Sequence, residues 1–118
     1  MAFLSENMGI KGLLQYMDDY KAAILYCIAD GAYSNVTMDN RAELLISYNL
    51  KVIEDCCPYH YLVRINKSML INVNCIQMID YYWYVIVLDC GGMFGIHDRY
   101  IFKLKACLRN NGFIILPK

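Results

Sequence analysis

No apolar run in this chain exceeds the eight residues of "YYWYVIVL" (81–88), and the runs are closed by turn signals. Runs of that length suit strands, whereas a membrane-spanning helix needs about 20 apolar residues. The chain is therefore restricted to a fold of many short elements. "LLQYM" (13–17) ends at Asp18-Asp19, "AILYCIA" (23–29) at Asp30-Gly31, and "YSNVTM" (33–38) at Asp39-Asn40. "AELLISY" (42–48) follows that corner and predicts a hairpin. After Gly91-Gly92, "MFGIH" (93–97) is expected to pair back onto "YYWYVIVLD" (81–89), whose β-branched and aromatic content favours a sheet.

Two segments change to helical spacing. In "NLKVIEDCC" (49–57), Leu50, Ile53 and Cys57 share one face, and Pro58 is the stop. In "DRYIFKLKACLRNNG" (98–112), Asp98 can cap the amino end, and Ile101, Leu104, Cys107 and Leu108 form the buried stripe. Arg109 falls in the last turn, with Asn111-Gly112 tolerant of a left-handed close. The tail "FIILP" (113–117) is apolar enough to add a strand. The expected fold is mainly β, with strands over 13–48 and 60–97, a mid-chain helix near 49–57 and a C-terminal helix near 99–110. At 118 residues it is expected to be one domain.

Composition narrows the class further. The apolar fraction of 58% disfavours long disorder, and the start "MAFLSENMGIKG" lacks the basic and continuous apolar character of a signal peptide. A soluble, cytoplasmic protein is expected. No C-x-x-C spacing occurs among the six cysteines, and neither His60 nor His97 has a partner at metal-ligand spacing. The cysteines are thus expected to be thiols acting as small core hydrophobes, without metal, disulfide or cofactor. Cys56-Cys57 is the one pair that could do more. No nucleophile has a base in its sequence context, and Gly91-Gly92 belongs to a hairpin, so no enzyme is expected. Net charge is zero, but residues 1–59 hold four bases against eight acids and residues 60–118 seven against three. Such asymmetry can mark a basic face for an anionic partner.

The segment "RINKSMLINVNCI" (64–76) breaks its apolar alternation with three polar residues, Asn66, Lys67 and Ser68, between two strand-like runs. Either this is an ordinary turn or it presents polar groups outward. Asn72 and Asn74 fit turn-makers better than ligands, and Arg64, alternating with Val63 and Ile65, can cap a sheet face.

The order of these pieces resembles the LytTR DNA-binding domain of bacterial response regulators, over roughly residues 10 to 108. "ADGAYSNV" (29–36) keeps the family's early Asp30, Gly31 and Tyr33. "LVRINKSMLINVNCI" (62–76) keeps Arg64, Ser68 and Asn72, and "IHDRYIFKLKACL" (96–108) keeps Arg99 and Tyr100. The resemblance implies an elongated β fold whose loops enter successive major grooves. It assigns Asn66, Lys67, Ser68, Arg99, Tyr33 and Ser34 to DNA contact, with duplex DNA as partner, no membrane, and a homodimer on a repeated site left open.

The chain departs from the family pattern at three contacting positions. Asn66-Lys67 replaces His-Arg, exchanging a guanidinium fork for a point charge. Ala32 replaces an Asn, and Asp98 replaces a base beside Arg99. These departures motivate the alternative expectation, a module of the same fold that contacts protein or dimerises with weakened DNA binding. His97 is a loop residue whose proton can tune affinity. At this length no receiver domain is expected.

Overall fold

The computed structural model describes residues 8–56 and 60–113. Its first element corrects the expectation for 13–17: α1 (Ile10–Tyr20) is a helix, not a strand. Leu13 and Met17 are buried four residues apart, on one helical face. A five-residue apolar run does not distinguish that stripe from a strand. Lys21 ends α1 with φ at 52°, its N–H donating to Met17 O.

Three antiparallel strands follow, β1 (Ile24–Asp30), β2 (Tyr33–Met38) and β3 (Glu43–Ile46). Cys27 lies opposite Val36, and Val36 opposite Leu44, so the three buried side chains line one face. Gly31, first of the two residues linking β1 to β2, has φ of +61°, where a two-residue hairpin favours glycine. The expected mid-chain helix is present as α2 (Leu50–Cys56), burying Leu50 and Ile53. Asn49 caps it, its Oδ1 accepting from Val52 N–H at 3.1 Å. Cys57 and Pro58 lie outside the described residues.

β4 (Leu62–Asn66) and β5 (Met69–Asn72) flank the polar corner, and the strand order is β3-β2-β1-β5-β4. Asn72 is a turn-maker as expected: it is buried, and its Oδ1 accepts from Asn74 N–H within a 3-10 turn at Val73–Cys75. β6 (Ile76–Asp80), β7 (Val85–Leu88) and β8 (Met93–Gly95) form a second sheet in that order. The strand expected over 81–89 is therefore shorter than its aromatic content suggests. Asp80 Oδ1 accepts from both Tyr82 N–H (2.9 Å) and Trp83 N–H (3.0 Å), making a turn that Tyr84 leaves with φ at 53°. A 3-10 turn at Asp98–Tyr100 leads into α3 (Ile101–Asn110), and Gly112, at φ +85°, follows it. The expected terminal strand falls almost wholly on residues outside those described. The fold is thus mostly β, with three short helices where two were expected.

Two compact units divide the chain, residues 1–58 with 68–70, and 59–67 with 71–118. The first holds its core between the β1–β3 sheet and its helices, around Leu13, Ile24, Val36 and Ile53. In the second, α3 packs on β4, and Ile65, Ile86, Leu88 and Leu104 are fully buried. The charge asymmetry of the sequence follows the same division: all seven bases and three acids of residues 60–118 fall in the second unit. Cys27 takes the expected core position, whereas Cys75, Cys90 and Cys107 are half-buried and Cys56 is exposed. No helix of the described residues is long and apolar enough to cross a membrane.

Candidate nucleic-acid interface

Alternation along β4 sends Val63 and Ile65 into the core of the second unit and leaves Arg64 and Asn66 on the other face. Both outward side chains hold backbone carbonyls. Arg64 Nη1 donates to Lys67 O at 3.2 Å, bracing the turn from within, and Asn66 Nδ2 donates to Gly95 O at 2.9 Å. Lys67 stands exposed at the turn. His97 N–H donates to Ile65 O at 2.9 Å, so residues 95–97 are tied to the end of β4 by two bonds.

Arg99 is exposed two residues beyond that tie, its guanidinium carbon 5.5 Å from the centre of the Tyr100 ring. Asp98 was expected to cap the helix, but it lies inside the 3-10 turn that precedes α3, and α3 itself starts from Tyr100 without a side-chain cap. The turn is capped by His97, whose Nδ1 accepts from Arg99 N–H at 3.3 Å. Asp98 Oδ1 lies 3.1 Å from the same Nδ1, so its carboxylate is directed at His97.

The remaining candidates belong to the first unit. Tyr33 opens β2 and is 40% exposed, directly after the Gly31-Ala32 link, while Asn35 Nδ2 donates to Asp30 Oδ2 across the same hairpin. Ser34 is fully buried, and its hydroxyl donates to Tyr48 O at 2.7 Å. That bond holds β2 to the segment entering α2 and leaves Ser34 no surface to present. Ser68 is exposed, and its carbonyl accepts from Ala29 N–H at 2.8 Å beside the Asp30-Gly31 hairpin.

On α3, Lys105 Nζ lies 5.0 Å from the centre of the Tyr81 ring. Burial raises the Tyr81 phenol above its ordinary value, with the Arg109 charge pulling the other way. Burial likewise raises the Cys107 thiol, which donates to His60 O at 3.2 Å. Among the described residues no three His, Cys, Asp or Glu side chains gather as a metal site. The bracing roles of Arg64 and Asn66 were not read from sequence. Their one signal is period two, which puts both on the face of β4 away from Val63 and Ile65.

A family model for the LytTr DNA-binding domain matches residues 21–109. Among solved structures, a chain described as the LytTr DNA-binding domain of a methyl-accepting/DNA response regulator from Bacillus cereus matches with a TM-score of 0.63 and 22% identity. The match covers 76% of this chain and 82% of that one. At that identity the likeness shows the fold. No curated protein matches.

Proposed function

The chain belongs to the LytTr family of DNA-binding domains, which act in transcription regulation, and from that premise we propose that it reads duplex DNA sequence-specifically, its loops entering successive major grooves. The observation that carries this reading is the tie between the two basic loops. Lys67 and Arg99 are 32 positions apart in the numbering, yet the segments bearing them meet at Ile65–His97 and Asn66–Gly95. Both lie in the unit that holds seven bases against three acids. Lys67 is assigned to a phosphate oxygen, as a compact charge on a flexible stem, and Arg99 to guanine O6 and N7. Tyr33 and Ser68 are exposed candidates of the first unit for sugar or phosphate contact. Ser34, buried and already bonded, is left out of the contact set.

The second unit exposes four of its described bases, Lys67, Arg99, Lys103 and Arg109. About two to four phosphates are therefore neutralised, and the log–log salt slope is expected near −2 to −4. Lys67→Ala should weaken binding evenly across sequences and make that slope shallower by about one unit. Titrations of wild type and variant at several salt concentrations check this, and an unchanged slope removes Lys67 from the interface. Asp98→Arg restores the base usual in the family and adds a cation beside Arg99. It should tighten binding and steepen the slope by about one unit. An unchanged affinity and slope would place Asp98 away from the DNA.

A second reading draws on the sheet β6-β7-β8. Met78, Val87 and Met93 are directly paired across the three strands, and Met78 and Met93 are 54% and 67% exposed. An exposed apolar row of this kind suits a protein contact, a second copy of the chain included. Light scattering with and without duplex separates the cases: a dimer that forms without DNA and is lost in Met93→Lys supports the protein-contact reading.

A further inference from the structure

The joint between the two basic loops rests on consecutive residues of β4. Ile65 contributes its carbonyl to His97 N–H, and Asn66 contributes its side-chain amide to Gly95 O, each at 2.9 Å. We infer that Asn66 is a positioning residue that locks the Lys67 turn and the Arg99 loop into one frame, and that it does not read a base. This inference rests on the DNA-binding reading above.

The chemistry of asparagine decides between the two roles. Reading adenine takes both ends of the amide at once, with Nδ2 donating to N7 and Oδ1 accepting from N6. Here Nδ2 is already donated to a carbonyl 29 residues away, and the side chain is half-buried. Turning it toward a base would break that bond and leave the Gly95 carbonyl to find a new donor. Arg64 acts in the same sense, its Nη1 holding the Lys67 carbonyl. Lys67 and Arg99 therefore approach DNA from loops that are ordered before contact, so less ordering remains to be done on binding. His97 extends the frame to Arg99 itself, by accepting from the Arg99 N–H.

Amide hydrogen exchange on the DNA-free protein, followed by NMR for wild type, Asn66→Ala and Asn66→Asp, tests the joint directly. Asn66→Asp keeps the size of the side chain but removes the donor. Both variants should exchange about five- to tenfold faster at His97 and Arg99, while Leu88, in the core of the same unit, is unchanged. On duplex DNA, Asn66→Ala should weaken the preferred site and all its single-base variants by a similar factor, about five- to tenfold, with no position relaxed. Unchanged exchange at His97 and Arg99 in both variants overturns the inference, as does a loss confined to one base pair. Should wild type bind no duplex, the DNA reading falls, and the exchange result still decides whether Asn66 joins the loops.

Discussion

Leu104→Ala is expected to remove about 2–5 kcal/mol of stability, the usual cost of cutting a fully buried leucine to alanine. Leu104 is 0% exposed on α3, the helix that packs on β4, and Leu108 one turn later is 4% exposed. These two residues are the buried anchors of a helix that is otherwise partly or wholly exposed. Domains of this size are stable by only about 5–15 kcal/mol, so the loss is a large share of the total. The same helix begins one residue after the Asp98–Tyr100 turn, so a loosened α3 should also disorder Arg99 and weaken DNA binding. Urea unfolding gives the first quantity, and a titration the second. A loss below about 0.5 kcal/mol, the level of an ordinary surface change, would show that α3 is not docked through Leu104.

Arg99→Ala should cost about 1–3 kcal/mol in binding to the preferred site and relax one base position there. Arg99→Lys separates charge from shape. Lysine keeps the cation but lacks the planar fork, so the salt slope should hold while the preference at that position is lost. A profile that weakens equally at every position would make Arg99 a phosphate contact, and the reading of guanine would pass to another residue.

Much of the fold was legible because strand and helix leave different periods in the sequence. β2 was bounded residue for residue by "YSNVTM", and the helix expected near 99–110 is α3 (Ile101–Asn110). Its expected stripe buries Leu104 and Leu108 but leaves Ile101 and Cys107 partly exposed. The failures have physical causes. "LLQYM" is too short to show a period, and its Leu13–Met17 spacing declares a helix only when read from Ile10 to Tyr20. Tyr82, Trp83 and Tyr84 have strong β-propensity, but the Asp80 carboxylate captures two of the N–H groups and turns the chain. Local side-chain bonding of this kind overrides propensity.

The candidate site was legible only in its position. The Asn66–Lys67–Ser68 corner and the Arg99 loop stand out as polar interruptions between apolar runs. What Asn66 and Arg64 do depends on the carbonyls of Gly95 and Lys67, and the first of these is set by tertiary packing. The burial of Ser34 was hidden for a related reason. Alternation in β2 pairs it opposite Ile46 on the inward face, and its hydroxyl is satisfied by Tyr48 O. Asp98 likewise read as a helix cap and as a charge beside Arg99, whereas its carboxylate is directed at His97.

Selection from a random duplex library at low salt, followed by titration of the recovered sequences across salt, bears most directly on sequence-specific DNA binding. The expected result is a shared sequence among the bound duplexes, a log–log slope near −2 to −4, and a slope shallower by about one unit for Lys67→Ala. If neither wild type nor Asp98→Arg retains any duplex at low salt, DNA binding is not what this chain does.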